Sequence, residues 1–301
     1  LIAAEPPPVA LPTGPNAPEV SVPAFVVPVV LLGALLHASW NTIAKSGPKK
    51  FFNSVLICVG SAVISILLLP FVEPPAPESW PFIGVSVCLQ IAYYSLIAAA
   101  YEAGDMSLAY PLMRGVSPLL VAVASGPLIG ELLSLTGWLG VLLICTGVMA
   151  MAIDAGRRSL PNGKAIGYAL LNAGVIASYT LVDGVGVRLS GSPLGYTMWD
   201  CILAAVPLGA YALWRHRGDL LRYARGREHL ALVGGAATLG SYALALYAMT
   251  LAPVAMVAAL RETSILFGAG LSYLVLKERV GWQRMTACAV LLCGVAAIRL
   301  A

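Results

Sequence analysis

The sequence predicts an all-α integral membrane protein with ten transmembrane helices, arranged as two inverted five-helix repeats around a central cavity. Three observations predict it. Charged residues are only 11% of 301 positions while hydrophobic residues reach 59%, with a mean hydropathy of +0.86. The apolar residues run in ten long stretches rather than in alternation. Polar residues inside the late part of the first half recur in the second at a shift of 147 positions.

Fourteen acids and eighteen Lys/Arg cannot form the polar skin that a soluble chain of this size requires, so lipid must face most of its surface. A barrel would alternate polar and apolar residues every second position, which this chain does not do. The net charge of +4 is no sign of nucleic-acid binding, because the positive residues sit in the breaks between apolar runs. Cys58, Cys88, Cys145, Cys201, Cys288 and Cys293 lie inside apolar segments without a CxxC pair, where cysteine acts as a small hydrophobe. No metal and no cofactor is expected. Residues 1–24 form a Pro-rich segment without an apolar core, read as an extended lead-in and not as a signal peptide.

A hydrocarbon core of ~30 Å takes roughly 20 apolar residues per helix. The spans are expected near 25–44, 52–72, 80–101, 107–127, 134–154, 164–187, 194–214, 229–250, 253–275 and 282–300. The first repeat then occupies 25–155 and the second 164–300. Fourteen of the eighteen Lys/Arg fall in the odd-numbered connections. By the positive-inside rule those connections are cytoplasmic and both termini face outward, periplasmic in a bacterial inner membrane.

The shift of 147 places Arg114 on Arg261, Ser117 on Ser264, Ser125 on Ser272, Glu131 on Glu278 and Gly147-Val148 on Gly294-Val295. Five helices per half is an odd number, so the second copy must insert upside down. Inverted repeats supply two related conformations, one open to each side, and typify secondary transporters.

Several motifs carry a family resemblance. HASWNTIAK in the first span resembles the opening of an EamA-type repeat of the drug/metabolite transporter (DMT) superfamily. AYPLMRGVSPLL followed by GELLSLTGWLGVLLICTGV resembles the end of that repeat, and AALRETSILFGAGLSYLVLKERVGWQRMTACAVLLCGVAAI restates it more loosely. The second copy has Val257-Ala258 and Ser264-Ile265 where the first has Tyr-Pro and Ser-Pro. The resemblance implies a basket in which helices 1, 3, 4, 6, 8 and 9 line the cavity while 5 and 10 pack peripherally. It also implies export of a metabolite, with amino-acid exporters of the YddG type the nearest comparison. A drug or other-metabolite permease of the same superfamily is the alternative. The partners expected are a small-molecule substrate and the lipid bilayer.

Candidate binding residues follow from polarity within apolar spans. His37, Trp40 and Asn41 share one helical face. Arg114 and Arg261 lie about two turns into their helices, where a charge costs ~2.5–3.5 kcal/mol and therefore has a partner or a task. Capture of a substrate carboxylate is the functional reading; snorkelling, or pairing of Arg261 with a neighbouring acid, is the structural one. Ser117 and Ser264 accompany them. Gln90, Tyr94, Tyr179 and Tyr242 suit an amphipathic solute. Asp183, Asp200 and Glu262, the acids well inside helices, are candidates for ion coupling, with Asp183 and Glu262 preferred. Glu131 and Glu278 read as structural, each placed to begin the following helix. Trp80, Tyr101, Tyr110, Trp138, Trp214 and Trp282 read as interfacial aromatics. An intramembrane enzyme would need paired Asp or His motifs, and the chain has neither GxSxG nor HExxH.

Overall fold

The computed structural model describes residues 22–45, 49–104, 106–156, 162–268, 270 and 282–301. The described residues form helices joined by short connections: α1 (Val26–Lys45), α2 (Lys50–Leu68), α3 (Trp80–Ala103), α4 (Met106–Ile129), α5 (Leu135–Gly156), α6 (Gly163–Leu189), α7 (Pro193–Ala224), α8 (Glu228–Met249), α9 (Val254–Arg261) and α10 (Trp282–Arg299). Seven are long and apolar enough to cross a bilayer, and Leu135–Ala150 and Met285–Arg299 are shorter apolar stretches. Lys277, Glu278 and Arg279 lie outside the described residues.

The interior is mainly apolar, but large apolar side chains also cover the outside. Phe71, Leu67, Val123 and Leu135 point outward, while Ser65, Ser86, Ser125, Asn172, Asp183 and Asp200 are buried. Hydrocarbon offers no hydrogen bonds, so polar groups must be satisfied inside the bundle. Many hydroxyls do this locally by donating to the carbonyl one turn back: Thr42 to Ala38, Ser65 to Ser61, Ser178 to Gly174 and Thr180 to Ile176.

The pairing of helices obeys a pseudo-twofold relation. α1 packs on α8 as α6 packs on α3, and α2–α7, α4–α9 and α5–α10 each join equivalent elements of the two halves. The last pair shows the symmetry atom by atom. A Cβ on Gly147 would meet Ala287 O at 3.0 Å and Leu291 Cγ at 2.8 Å; one on Gly294 would meet Gly140 O at 2.9 Å and Ile144 Cγ1 at 2.6 Å. The shift of 147 carries each of these sets into the other. As numbering rises along α5 from 140 to 147 it falls along α10 from 294 to 287, so the equivalent helices run antiparallel. That geometry is the inversion of one repeat against the other. Small residues let the backbones approach where no hydrophobic force draws helices together. α2 and α8 touch more closely still: a Cβ on Gly235 would lie 2.6 Å from Gly60 C.

Two helices differ from the spans expected. The seventh continues to Ala224 through a kink at His216 (φ −137°, ψ 24°) instead of ending near 214. Arg215, Arg217 and Arg222 are good helix formers, and Phe52 and His216 stack at 5.8 Å while Tyr223 Oη donates to Asn53 Oδ1 at 2.9 Å. The ninth is interrupted: α9 stops at Arg261 and helix resumes from residue 264. Thr263 explains the break, because its N–H and hydroxyl both turn back to Leu260 O, at 3.1 and 2.7 Å. α4, its counterpart, stays continuous despite Pro111, Pro118 and Pro127.

Gly147→Val and Gly294→Val are expected to cost ~1–3 kcal/mol each, and similar amounts, because both force the same seam apart. Gly174→Ala, whose added Cβ would meet nothing within 4 Å, should be neutral or slightly stabilising. Unfolding in detergent measures all three.

Candidate functional site

The polar interior divides into three groups. The first joins the halves. Arg114 of α4 points its Nε at Glu262 Oε2, 2.8 Å away, and the two side chains are 10% and 4% exposed. The approach lacks the alignment of a hydrogen bond, and Arg114 Nη2 meets no acceptor among the described residues. The break after α9 delivers Glu262 to this position. Arg261 takes a different course, its guanidinium lying 5.5 Å from the centre of the Tyr242 ring. The structure thus separates neighbours: the acid next to Arg261 is committed to Arg114, and Arg261 rests on an aromatic face. Ser117 and Ser264 are both buried beside this contact.

The second group is built on two buried carboxylates of the second half. Asp183 on α6 accepts from Tyr196 Oη at 3.0 Å and from Tyr242 Oη. Asp200 on α7 accepts from Gln90 Nε2, 3.0 Å from both its oxygens, and Gln90 also lies 3.1 Å from Ser86 Oγ. These contacts tie α3, α6, α7 and α8 together across the boundary between halves.

The third is aromatic. Tyr93 meets Tyr179 edge-on at 6.2 Å and Tyr94 at 5.1 Å. Tyr94 keeps 42% of its surface accessible although Cys58, Tyr179, Asp200 and Cys201 stand around it from three other helices. On α1, His37 and Trp40 stack edge-on at 4.9 Å, and Asn41 Nδ2 donates to Tyr110 Oη at 3.1 Å.

Tyr110, read as an interfacial aromatic, is tied to α1 by this bond. Glu131 is structural, but it does not begin α5. Its Oε2 accepts from Val254 N at 2.8 Å, capping the positive end of α9, and its Oε1 takes Arg188 Nη2. Arg188 Nε in turn donates to Met249 O at 2.7 Å. The sole basic residue of the even-numbered connections is thereby consumed in a clamp between the halves. Glu278, its counterpart in sequence, lies outside the described residues. Tyr93, Tyr196 and Ser86 were not among the candidate residues, and Asp200 was a candidate for ion coupling only. Tyr196 reaches Asp183 across a helical turn-around, a contact no periodicity reveals.

Residues 24–153 and 163–300 each match the EamA-like transporter family. The chain belongs to that family. It is an EamA-like transporter whose two repeats account for the paired helices. A stretch of 100 residues, 33% of the chain, is 30% identical to the multidrug transporter EmrE of Escherichia coli (strain K12) and covers 87% of it. A stretch of 74 residues, 25% of the chain, is 31% identical to the multidrug resistance protein EbrB of Bacillus subtilis (strain 168) and covers 62% of that protein. A solved crystal structure shares the fold, with a TM-score of 0.71 over 92% of this chain and 97% of its own at 18% identity.

Glu131→Ala removes the partner of Arg188 and the cap of α9 at once, so a loss of ~3–5 kcal/mol is expected in denaturant unfolding. Glu131→Gln keeps an acceptor for Val254 N–H and should lose measurably less.

Proposed function

We propose that this EamA-like transporter exports amino acids across a bacterial inner membrane by alternating access. The observation that carries the reading is the Arg114–Glu262 pair. It lies between equivalent helices of inverted halves, it is buried, and it leaves one guanidinium nitrogen unengaged. A buried cation with a spare donor suits a carboxylate, which can replace or share the Glu262 contact. Tyr93, Tyr94, Tyr179 and Tyr242 offer aromatic faces with polar tips for the rest of the solute. Asp183, held by two tyrosines, and Glu262 stand where a proton or an ammonium group would be exchanged as the halves move. His37, Trp40 and Asn41 complete the wall from α1, with Gln90, Ser117 and Ser264 as further polar contacts. On this reading the basic connections are cytoplasmic and both termini periplasmic.

A second reading, drug export, is favoured by the two multidrug relatives and by the aromatic lining with its buried carboxylates. Both readings use the same interior and neither involves enzymatic chemistry.

Flux of a panel of labelled amino acids into proteoliposomes tests the first. Arg114→Gln and Arg261→Gln should each abolish it while expression stays near the parent level. Absence of flux for every amino acid by folded protein would contradict this reading and leave the drug panel to be run. Survival of transport in both variants would make the arginines structural anchors.

A further inference from the structure

Apart from the facing atoms of the Arg114–Glu262 pair, two buried polar side-chain atoms have no hydrogen-bond partner among the described residues. They are Arg114 Nη2 and Asn172 Oδ1. Asn172 is fully buried in α6, and its Nδ2 finds only Met113 Sδ, 3.2 Å away. Sulfur is a weak acceptor. Turning the amide over would set oxygen against sulfur and strand the NH2 instead, so one end is unmet in either orientation. Met113 immediately precedes Arg114 on α4, and α4 packs directly against α6. An unused cationic donor and an unused neutral acceptor thus belong to two packed helices, the donor's residue following in sequence the methionine that Asn172 touches.

Stability does not account for this asparagine. Its one side-chain hydrogen-bond contact is Met113, and Ala169 and Ile176, about one turn away on α6, are buried and apolar; a leucine there would leave no unpaired amide. A buried polar group left unmet in this way points to something that arrives to meet it. The two atoms define what that must be. Arg114 Nη2 asks for an anionic acceptor, and Asn172 Oδ1 asks for a donor bonded close to it. An α-amino carboxylate has both on adjacent atoms.

We infer that Asn172 is a specificity-determining residue: with a substrate seated between α4 and α6, its amide oxygen accepts a hydrogen bond from the α-ammonium group while Arg114 holds the carboxylate. The inference rests on the amino-acid reading and adds a residue and a role to it. Tyr179 and Asp183 follow Asn172 on the same helix at i+7 and i+11, so the side chain of the solute extends along α6 toward the aromatic rings.

The probes are phenylalanine and 3-phenylpropionate, the same carboxylate without its amine, with binding measured on full-length protein in detergent. Asn172→Leu should weaken phenylalanine tenfold or more, leave 3-phenylpropionate unchanged, and hold or raise the unfolding temperature. Asn172→Asp should retain phenylalanine. Arg114→Gln should lose both ligands. Equal weakening of both by Asn172→Leu would overturn the inference, as would unchanged phenylalanine binding or a lowered unfolding temperature. If the parent protein binds neither probe, the amino-acid reading falls and this inference with it. If the parent binds phenylalanine and Asn172→Leu binds it equally well, only the role of Asn172 falls.

Discussion

Hydrocarbon gives no hydrogen bonds, and the structure follows from that constraint. Hydroxyls within the helices turn back onto their own backbone, glycine seams bring helices to backbone contact, and side chains that cannot do either pair across the bundle. The pairs that result are not scattered. Arg114–Glu262, Gln90–Asp200 and Glu131–Arg188 each join one half to the other. Polarity that would be costly against lipid has been gathered at the surface where the repeats meet, which is also the surface that must rearrange when a transporter changes the side it opens to. On the proposed alternating access, the same interactions hold the bundle together and mark its moving boundary.

The α5–α10 crossing stands apart from that boundary. Its contacts at Gly140, Gly147 and Gly294 are with glycine, alanine and aliphatic residues, related to one another by the repeat shift. Such a seam can act as a fixed hinge line, with α4, α6 and α9 free to shift against one another in front of it. The interruption between α9 and residue 264 supports this division. A broken helix ends where it can present Glu262 to Arg114, and its start is held by the Glu131 carboxylate.

Much of the fold was legible because membrane burial writes itself plainly into composition. Ten apolar runs, the placement of basic residues and the recurrence of Arg, Ser and Glu led to inverted halves, and Gly147 and Gly294 turn out to be the residues at which that inversion is seen. The site was legible only in kind. Polarity within a span located Arg114, Asp183 and Glu262, but their partners come from other helices. Arg261 lies next to Glu262 in sequence and yet has a tyrosine ring for company, because consecutive side chains on a helix leave it about 100° apart. Tyr110 looked interfacial by position alone, and the bond to Asn41 depends on how α1 meets α4. Asn172 gave no signal at all, since its meaning lies in an unmet bond rather than in a pattern. The extension of α7 was hidden by its arginines, whose charge ends a hydropathy run without ending a helix.

The central claim is that the inverted halves expose one interior alternately to each side. On the proposed reading Tyr94, 42% accessible, lines that interior, so a single cysteine placed there in a cysteine-free chain reports on it. Membrane-impermeant maleimide applied to oriented vesicles should reach Tyr94→Cys from either face, with substrate shifting the balance between the two. Labelling confined to one face under all conditions, or none from either, would contradict the account.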